Sequence, residues 1–524
     1  MEKKRKKEGS NKKARVAAVC LMILSTLLWA SFVWLESYFA DLTIDKMVFQ
    51  MKVPMEGTGF GIIFNYLLYT VPPCMVMGVL LFLLFRSQRR KEEKRDTGKE
   101  ELQNGTKSHV SREKMRKRFG CFKEKLVRHL LTISGIFFVS GIIFAMFRYD
   151  IPSYVYAQTH PSNLYETRYV DPNRVDISFP EKKRNLIYIF LESFENTYAS
   201  KEYGGYEQEN LLSELTALQR EDDSVHFSQP GGYGMIEMAN CSWTMASMVA
   251  QTSGVPLTIP LANNGYNMYK TFLPGLTTLG EILEHEGYHQ ILLLGSDAGF
   301  AGTDHYFKQH GNYEIHDYDY AVEQGWIPED YYEWWGYEDE KLFQFAKEEL
   351  SRLAEEDEPF NLTMATMDTH CVSGYSCELC GDTYEDPYRN VIACADHQLA
   401  DFVRWVKEQP WYDNTTIILC GDHLTMDTKY AESVDAEFTR SIFQVIVNPA
   451  AEAEQTEDRL FCALDLFPTT LAAIGAEIPG NRLGLGRNLF SGEPTLIESM
   501  GMEQLSEQIK QTSRYYNKHF LFDK

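Results

Sequence analysis

The chain has 524 residues and a formal net charge of -23, with 51 Lys and Arg residues against 74 Asp and Glu residues. A chain of this length is too long to form only one small hydrophobic core. It is long enough for a membrane part together with one large domain or two smaller ones. The basic residues are concentrated in residues 3–15 and 86–128, beside apolar runs, whereas nearly everything after residue 150 is acidic. A nucleic-acid-binding protein carries its basic residues on a folded domain, so this distribution excludes that class and indicates a membrane topology.

Three apolar runs cover residues 16–35, 60–85 and 130–147. Each is near the ~20 residues that a helix needs to cross a bilayer, and we interpret all three as membrane spans within a membrane region of residues 16–147. The alternative for the first run is a cleaved signal peptide, but two later spans and the lack of a convincing cleavage site favour an uncleaved anchor. The middle run contains Pro72 and Pro73, which predict either a kink or an irregular stretch.

The positions of the basic residues predict the orientation. Because positive residues prefer the cytoplasmic side, we expect a basic cytoplasmic tail at residues 1–15 and a basic cytoplasmic loop at residues 86–128. The third span then leads outward. Residues 148–184 lack periodicity and are predicted to be a linker, and residues 185–524 are predicted to form a globular domain outside the cytoplasm.

The globular domain is predicted to begin with a short buried strand, Asn185–Leu191. An apolar, β-branched run this short is typical of a parallel sheet, and it brings Glu192 to the edge of that sheet. Two further runs, at residues 360–367 and 415–421, lead into four polar side chains: Asp368, His370, Asp422 and His423. Active sites of open α/β sheets form at the carboxyl ends of such strands. Carboxylates and imidazoles gathered there indicate a metal site.

Helical patterns alternate with strands along the rest of this domain. Helices are predicted at residues 210–218, 279–285, 339–354, 391–408 and 464–474, and strands at residues 290–295 and 441–447. Strands that alternate with helices are typical of a doubly wound, mostly parallel sheet. The predicted fold class is therefore α/β, with N-terminal transmembrane helices preceding the sheet.

A further helix is predicted from about Ser242, after a Gly-rich stretch at residues 229–234. Asn240 or Ser242 would cap this helix, and either cap places Thr244 in the first turn. The free N–H groups and the positive end of a helix favour an anion, so a threonine there is positioned to meet a phosphate. On this element alone, an ordinary role beside the cap is the favoured interpretation.

Tyr and Trp residues crowd positions 318–337 and include Trp334 and Trp335. Aromatic residues at this density form a lid, a sugar-binding platform or a lipid interface in some proteins, and simply pack a small satellite core in others. The sequence leaves all of these interpretations open.

Four cysteines lie close together in the outer domain: Cys371, Cys377, Cys380 and Cys394. Outside the cytoplasm, disulfides are the default for such a group. The C-x-x-C spacing of Cys377 and Cys380, with two flanking partners, is also compatible with structural zinc. The sequence favours disulfides over zinc and does not define their pairing.

Glu192, Asp422 and His423 together supply two carboxylates and an imidazole, a set suited to Mn, Zn or Mg. Thr244 would add a fourth ligand if its hydroxyl lost its proton to the metal, because metal binding lowers the pKa of a bound hydroxyl. An alkoxide at a helix N-terminus beside a cation is a nucleophile for phosphoryl groups.

From about Asn185 to its end, the chain resembles the alkaline phosphatase and sulfatase superfamily. Within it, the chain resembles the membrane-anchored phosphoglycerol transferases, which include the lipoteichoic acid synthases and the enzymes that decorate periplasmic glucans. The matching segments are Leu191-Glu192-Ser193, Trp243-Thr244, Gly421-Asp422-His423 and residues 465–470 and 483–489. Residues 240–249 and 300–302 are more similar to the glucan-modifying branch.

The resemblance implies a sheet of the alkaline phosphatase and sulfatase type and one divalent metal ion, Mn first, with Mg and Zn as alternatives. It implies that Thr244 is the catalytic nucleophile. The implied metal ligands are Glu192, Thr244, Asp422 and His423. His370 matches a histidine that contacts the substrate phosphate, and Asp297 is a weaker match for substrate contact.

The activity implied by the resemblance is transfer of glycerophosphate from phosphatidylglycerol to a glycan or polyglycerophosphate acceptor. The Thr244 alkoxide would attack the phosphorus and release diacylglycerol, and the acceptor hydroxyl would then attack the resulting phospho-threonine. The implied partners are the phospholipid donor, the acceptor and the bilayer, without nucleic acid. The expected location is the cell membrane, multi-pass, with the catalytic domain extracytoplasmic.

Three rival functions are weighed against this one. Phosphoethanolamine transfer uses the same metal and threonine chemistry, and Thr303, which stands where lipoteichoic acid synthases carry Arg, leaves the headgroup open. Sulfate-ester hydrolysis is disfavoured because residues 241–245 lack the Pro and Arg of the Cys/Ser-x-Pro-x-Arg pattern. A non-catalytic protein that binds glycan or lipid has no use for an unpaired metal-binding set.

Overall fold

The computed structural model describes residues 2–39, 60–96, 129–229, 232–258 and 271–521, together with residues 42, 44, 47 and 48. Residues 97–128 of the predicted basic loop and residues 230–231 of the Gly-rich stretch lie outside the described residues. The chain divides into two compact units, one comprising Met1–Tyr38 and Gly59–Pro152 and the other Phe39–Thr58 and Ser153–Lys524.

The first unit contains the three predicted apolar spans, and each is a helix. The helices are α1 (Glu2–Tyr38), α2 (Phe60–Asp96) and α3 (Leu130–Arg148). Their apolar portions, long enough to cross a membrane, are Ala14–Tyr38, Gly61–Arg86 and Leu130–Arg148. Helix α2 continues through Pro72 and Pro73. Helices α1 and α3 pack together, with the indole of Trp29 stacked on Phe137 at a centroid distance of 6.1 Å.

The second unit is an α/β domain. Its strands are β1 (Asn185–Leu191), β2 (Ser224–Val225), β3 (Ser228–Gln229), β4 (Gly232–Tyr233), β5 (His289–Leu294), β6 (Glu314–His316), β7 (Phe360–Ala365), β8 (Thr415–Gly421), β9 (Gln444–Val447), β10 (Arg482–Leu483) and β11 (Gly486–Arg487). Helix α4 (Ile151–Thr159) begins in the last two residues of the first unit and continues into the second. The other α-helices of the second unit are α5 (Leu164–Arg168), α6 (Ser213–Leu218), α7 (Thr244–Ser253), α8 (Leu279–His285), α9 (Thr303–Gln309), α10 (Tyr318–Glu323), α11 (Asp339–Leu353), α12 (Pro387–Lys407), α13 (Thr428–Ser433), α14 (Ala463–Ala473), α15 (Leu496–Met500), α16 (Met502–Lys510) and α17 (Arg514–His519).

The central sheet has seven strands in the order β2-β9-β8-β1-β7-β5-β6. The five strands from β8 to β6 are parallel, and β9 and β2 are antiparallel additions at one edge. Strand β1 lies between β8 and β7, with Leu191 paired to Gly421 and Phe190 paired to Ala365. This register makes β1 and β8 end at the same level. It confirms the predicted mostly parallel sheet.

Both faces of the sheet are covered by apolar layers. Alternate side chains of β1 face opposite layers, with Tyr188 and Phe190 in one and Ile187 and Ile189 in the other. This two-sided burial explains why β1 and β8 are apolar along their whole length, since a parallel strand between two helical layers has no solvent face. The predicted doubly wound arrangement is confirmed.

Several predicted boundaries differ from those observed. Helix α12 begins at Pro387, four residues before the prediction, because the Asp386 side chain accepts a hydrogen bond from Tyr388 N and Pro387 occupies the first turn. Helix α6 begins at Ser213, three residues after its predicted start. The stretch predicted to be a linker contains helices α4 and α5, and Leu164 within it is fully buried.

Candidate active site

Glu192 follows β1 directly and is 2% exposed. Its backbone N–H donates to Thr366 Oγ1 at 3.0 Å, and its carbonyl accepts from Thr369 Oγ1 at 2.6 Å. The Ser193 hydroxyl donates to Glu192 Oε1 at 2.6 Å, which fixes one carboxylate oxygen. The segment after β7 thus holds the Glu192 backbone, and a neighbouring residue orients its side chain.

Asp422 follows β8 in the same way and is fully buried. Its Oδ1 accepts hydrogen bonds from the backbone N–H of Ser193 at 2.8 Å and of His423 at 2.7 Å. Its Oδ2 is buried and has no hydrogen-bond partner among the described residues. An orphaned buried carboxylate oxygen is energetically unfavourable, and a cation would satisfy it.

His423 is oriented by its backbone neighbour. Its Nδ1 donates to the carbonyl of Leu424 at 2.9 Å, an assignment that follows from the hydrogen bond. Nε2 therefore faces the carboxylates, at 3.3 Å from Asp422 Oδ2 and 3.8 Å from Glu192 Oε1. A histidine held through one ring nitrogen with the other aimed at acidic groups has the arrangement of a metal ligand.

Thr244 is the first residue of α7, so the prediction that it lies in the first turn is confirmed. Its hydroxyl lies 3.3 Å from Glu192 Oε2 and 3.5 Å from His423 Nε2. It is partly exposed, in contrast to the three buried groups beside it. Thr244 is therefore the member of the set that is partly open to solvent.

The predicted cap of α7 is wrong. The N-cap position is occupied by Trp243, whose side chain does not cap the helix. Asn240 has a left-handed backbone with φ of 59°, and its amide donates to Thr258 Oγ1 at 3.2 Å. Tertiary contacts of Asn240 thus take precedence over local capping.

One atom each from Glu192, Asp422 and His423 lies within 4.8 Å of the others. Burial, with the Glu192 charge second, raises the pKa of Asp422 to about 7. Burial also raises the pKa of Glu192, but His370 and His423 outweigh it and lower that pKa overall. Two buried carboxylates at this separation need positive charge between them, so the donor set fits a divalent metal ion.

His370 lies at this same edge of the sheet but outside that group of three. Its Nδ1 donates to the Cys371 carbonyl at 2.7 Å, and its ring meets Trp335 edge-on with centroids 5.0 Å apart. Burial lowers the pKa of His370, yet Cys371 and Glu192 together raise it to about 10. A protonated imidazole near Glu192 is suited to a phosphate oxygen. Its contact with Trp335 also brings part of the aromatic stretch to the site.

Asp297 is placed differently. Its Oδ1 accepts from the N–H of Gly299 at 2.8 Å. Burial is the main cause that raises the pKa of Asp319 and of Tyr332, and the Asp297 charge adds to it. Its contacts are thus with its own turn and with the acidic and aromatic segment. The structure does not bring it into the group formed by Glu192, Asp422 and His423.

A buried ion pair that was not predicted from the sequence connects the segments that carry Glu192 and Asp422. Glu195 is fully buried and receives two hydrogen bonds from Arg440, at 2.9 Å and 2.7 Å. Arg440 also donates to the Thr425 carbonyl at 3.0 Å. The pair ties the segment after β1 to the segment after β8. Glu195 was visible three residues after Glu192, whereas nothing in the sequence marks Arg440 as its partner.

The expected disulfides are not present among the described cysteines, which are all free thiols. Cys377 Sγ lies 3.6 Å from Cys380 Sγ and 3.7 Å from Cys394 Sγ. Cys371 is buried but does not belong to this group of three. The prediction treated all four cysteines as one group, and the fold brings three of them together without Cys371.

A strand-terminal carboxylate and imidazole group beside a helix-start threonine, on a doubly wound sheet, defines an α/β enzyme of the alkaline phosphatase type. The profile of the sulfatase family matches residues 184–476, which is more than half of the chain. The chain belongs to the sulfatase family. The resemblance stated from the sequence is thereby confirmed at the level of the family.

Among curated proteins, the chain is 29% identical over 325 residues to phosphoglycerol transferase I of Escherichia fergusonii, covering 60% of this chain and 40% of that protein. It is 28% identical over 324 residues to phosphoglycerol transferase I of Salmonella choleraesuis, again covering 60% of this chain and 40% of the relative. The chain therefore spans about 40% of the length of these relatives.

Among solved structures, an alkaline phosphatase superfamily protein from Vibrio parahaemolyticus is 22% identical with a TM-score of 0.48, covering 63% of this chain and 77% of that one. The lipoteichoic acid synthase LtaP from Listeria monocytogenes is 18% identical with a TM-score of 0.48, covering 63% of this chain and 80% of that one.

Proposed function

We propose that this protein is a metal-dependent transferase that moves glycerophosphate from phosphatidylglycerol to a glycan or polyglycerophosphate acceptor through a phospho-threonine on Thr244. The observation that carries the proposal is the position of the Thr244 hydroxyl, 3.3 Å from Glu192 Oε2 and 3.5 Å from His423 Nε2 at a partly exposed helix start. The similarity to proteins named phosphoglycerol transferase I supports glycerophosphate as the transferred group.

Glu192, Asp422 and His423, with the Thr244 oxygen, would hold one divalent ion, Mn first and Mg or Zn as alternatives. Such an ion favours the deprotonated hydroxyl and offsets negative charge on phosphoryl oxygens. The chain contributes the orientation of each donor: Ser193 fixes Glu192, two backbone N–H groups fix Asp422, and the Leu424 carbonyl fixes His423.

In the first step, the Thr244 hydroxyl gives up its proton and its oxygen forms a bond to phosphorus. The bond from phosphorus to the diacylglycerol oxygen breaks, and that oxygen takes up a proton. In the second step, an acceptor hydroxyl oxygen bonds to phosphorus, gives up its proton, and Thr244 leaves. His370 is held through Nδ1, which leaves Nε2 to contact a phosphate oxygen or to donate the proton that the leaving group needs.

We also propose the membrane arrangement that this reaction requires. The three apolar helices would anchor the protein beside its lipid donor, with residues 1–15 and 86–128 in the cytoplasm, residues 148–184 as the connection, and residues 185–524 outside. Reporter fusions at residue 110 and at the C-terminus would test this orientation. Activity of a C-terminal reporter of a kind that functions only in the cytoplasm would contradict this orientation.

The test of the function uses full-length protein in detergent with Mn²⁺ and fluorescent phosphatidylglycerol. We expect Thr244→Ala to abolish release of diacylglycerol while the protein remains folded, because the attacking oxygen is gone. Thr252→Ala, which removes a hydroxyl from the same helix, is the matched control and should retain turnover. Equal turnover by Thr244→Ala would remove Thr244 from the mechanism.

Intact-mass analysis of wild-type protein incubated with donor but no acceptor identifies the transferred group. We expect a mass increment equal to glycerophosphate on the peptide that contains Thr244. An increment equal to phosphoethanolamine, obtained with phosphatidylethanolamine, would favour the alternative transferase. No increment with either lipid, together with no turnover, would favour a protein that binds glycan or lipid without catalysis.

A further inference from the structure

Three of the cysteines form a compact group that shares no residue with the group of Glu192, Asp422 and His423. Cys377 Sγ lies 3.6 Å from Cys380 Sγ and 3.7 Å from Cys394 Sγ, and one sulfur from each of the three lies within 4.8 Å of the others. Cys377 is 7% exposed and Cys394 8% exposed. Three thiols this close, two of them buried and Cys380 partly exposed, suit either a bond between two of them or a shared ligand.

The distances favour a shared ligand. Zinc binds thiolates at about 2.3 Å in a tetrahedron, which places neighbouring sulfurs about 3.8 Å apart. A disulfide requires about 2.05 Å between two sulfurs and would leave the third thiol alone. Both observed separations, 3.6 Å and 3.7 Å, are close to the edge of the zinc tetrahedron and not to a disulfide.

The surroundings suit metal-bound sulfur. Gln398 is buried, and its Nε2 donates to Cys394 Sγ at 3.3 Å and to Cys377 Sγ at 3.9 Å. Amide donors beside coordinating thiolates orient them and offset part of their charge. The backbone N–H of Cys380 donates to the Cys377 carbonyl at 3.1 Å, which closes the turn that brings the two sulfurs of the C-x-x-C pair together.

The group lies between a long loop and a helix. Residues 366–386 connect β7 to α12, and no helix or strand is assigned within this fully described segment. Cys377 and Cys380 belong to the loop, and Cys394 lies two turns into α12. Structureless connections of this length are uncommon in compact domains unless they are functional or held by other means.

The same loop carries residues of the catalytic edge. Thr369 Oγ1 donates to the Glu192 carbonyl at 2.6 Å, and Tyr388, in the first turn of α12, donates its hydroxyl to the Thr369 carbonyl at 2.9 Å. We propose that Cys377, Cys380 and Cys394 bind a zinc ion, distinct from the catalytic metal, that fastens the loop bearing His370 to α12. Three protein ligands leave the fourth position of the tetrahedron for a water molecule.

The first test replaces the ion with Co²⁺ in full-length protein, because cobalt bound to thiolates gives a charge-transfer absorption that oxygen and nitrogen ligands do not. We expect this band at one equivalent of Co²⁺ per chain. Cys377→Ser, Cys380→Ser and Cys394→Ser should each lose most of it. Cys371→Ser, which removes a buried thiol of the same loop outside the group, should keep it. Absence of the band in folded wild type would overturn the proposal.

A second arm separates this site from the catalytic one. Asp422→Asn weakens only the catalytic group, so this variant should retain the thiolate band while losing turnover. Loss of the band in Asp422→Asn would show that the two sites are not distinct. If only the proposed catalytic function were wrong, the thiolate band would stay unchanged in every variant that retains the three cysteines.

A third measurement needs no variant and remains valid if the substituted proteins fail to fold. In native wild type purified without reductant, we expect the three thiols to react with an alkylating agent at least about tenfold more slowly than after treatment with a zinc chelator, with zinc released in the same step. A pair of cysteines that alkylates only after reduction would show a disulfide and contradict the proposal.

Discussion

The α/β unit contains two groups of potential metal ligands that are built in opposite ways. Glu192, Asp422 and His423 offer oxygen and nitrogen donors from the ends of two paired strands, whereas Cys377, Cys380 and Cys394 offer sulfur from a loop and a helix. Carboxylates and imidazole suit Mn, Mg or Zn, and thiolates suit zinc. Zinc therefore suits both groups, whereas Mn and Mg suit only the group of oxygen and nitrogen donors.

The two groups also differ in what holds their side chains in place. Strands β1 and β8 are hydrogen-bonded along seven residues, so the sheet places Glu192 next to Asp422 whether or not an ion is bound. The cysteine loop has no such ladder. We therefore expect the ligands proposed for the catalytic metal to be preorganised by the fold and the cysteine loop to depend on its proposed ion for its order.

The largest expected effect comes from the preorganised group. Asp422→Asn or Glu192→Gln should lower turnover of phosphatidylglycerol by roughly 10³-fold or more, equivalent to about 4 kcal/mol of transition-state stabilisation, because a buried ligand loses its charge. Diacylglycerol release and bound Mn²⁺ would be measured together. Asp401→Asn, on the exposed face of α12, should change neither. Full activity in Asp422→Asn would exclude it as a ligand.

The second effect concerns stability behind the same strand ends. Arg440→Met should lower the free energy of unfolding by about 3–5 kcal/mol, because Glu195 would be left as a buried charge without its partner. Arg404→Gln, which breaks an exposed ion pair with Glu214, should cost less than about 1 kcal/mol. Denaturant unfolding of the detergent-solubilised protein measures both, and comparable losses would contradict the burial argument.

A double variant sharpens this result. Glu195→Gln combined with Arg440→Met removes the unpaired charge, so it should recover part of the stability lost in Arg440→Met alone. A double variant less stable than Arg440→Met would mean that Glu195 contributes through hydrogen bonds to residues other than Arg440.

The same contrast explains how much could be predicted from the sequence. Strands β1 and β8 were predicted to the residue because short apolar runs bounded by polar residues are a local signal. The meeting of Glu192 with Asp422 and His423 followed from topology, since neighbouring parallel strands end at one edge. The helix pattern placed Thr244 in the first turn, which the position of α7 confirms, whereas its role as nucleophile came only from the resemblance.

The features that were missed depend on contacts between distant residues. Arg440 and Glu195 are 245 positions apart, and no local pattern links them. Helices α4 and α5 lack a long periodic face, and α5 is held by contacts such as Tyr165 stacked on Tyr515 near the end of the chain. The disulfide expectation rested on the expected compartment, which carries no information on the separation of the sulfurs.

A pH-dependent test of stability is available on helix α12, which belongs to the cysteine group. Besides Cys394 it carries Asp396, which is 2% exposed and accepts the N–H groups of Glu214 and Leu215 at 3.0 Å and 2.9 Å. Burial raises the pKa of Asp396 to about 7, well above the value of about 3.9 expected in an unfolded chain. The folded state thus retains a proton between these pH values that the unfolded state releases.

The stability that Asp396 contributes is complete below about pH 4 and is lost as the pH rises toward about 7, with a slope of at most about 1.4 kcal/mol per pH unit. Asp396→Asn does not titrate, so the wild type should lose stability relative to this variant across that window. Unfolding measured at several pH values checks it. Parallel curves for the two proteins would show that Asp396 does not titrate there.

The smallest effect on stability is expected at Tyr388, which connects the helix of the cysteine group to the segments that follow β7 and β8. Tyr388, on the helix that carries Cys394, is 1% exposed, and its hydroxyl lies 2.9 Å from both the Thr369 carbonyl and Thr425 Oγ1. These partners belong to the segments after β7 and β8. Tyr388→Phe should cost about 1–2 kcal/mol, because a buried carbonyl loses its donor while the ring remains packed. Tyr332→Phe, at a site 53% exposed, should cost less than about 0.5 kcal/mol.

The same variant shows whether the cysteine group and the catalytic edge of the sheet are coupled. If α12 positions the loop that bears His370, Tyr388→Phe should slow turnover several-fold and also speed alkylation of the three grouped thiols, since one hydroxyl serves both sides. A loss of turnover without any change in thiol reactivity would confine the role of Tyr388 to the catalytic edge. The loop would then be held to α12 by the cysteine group independently of the hydroxyl.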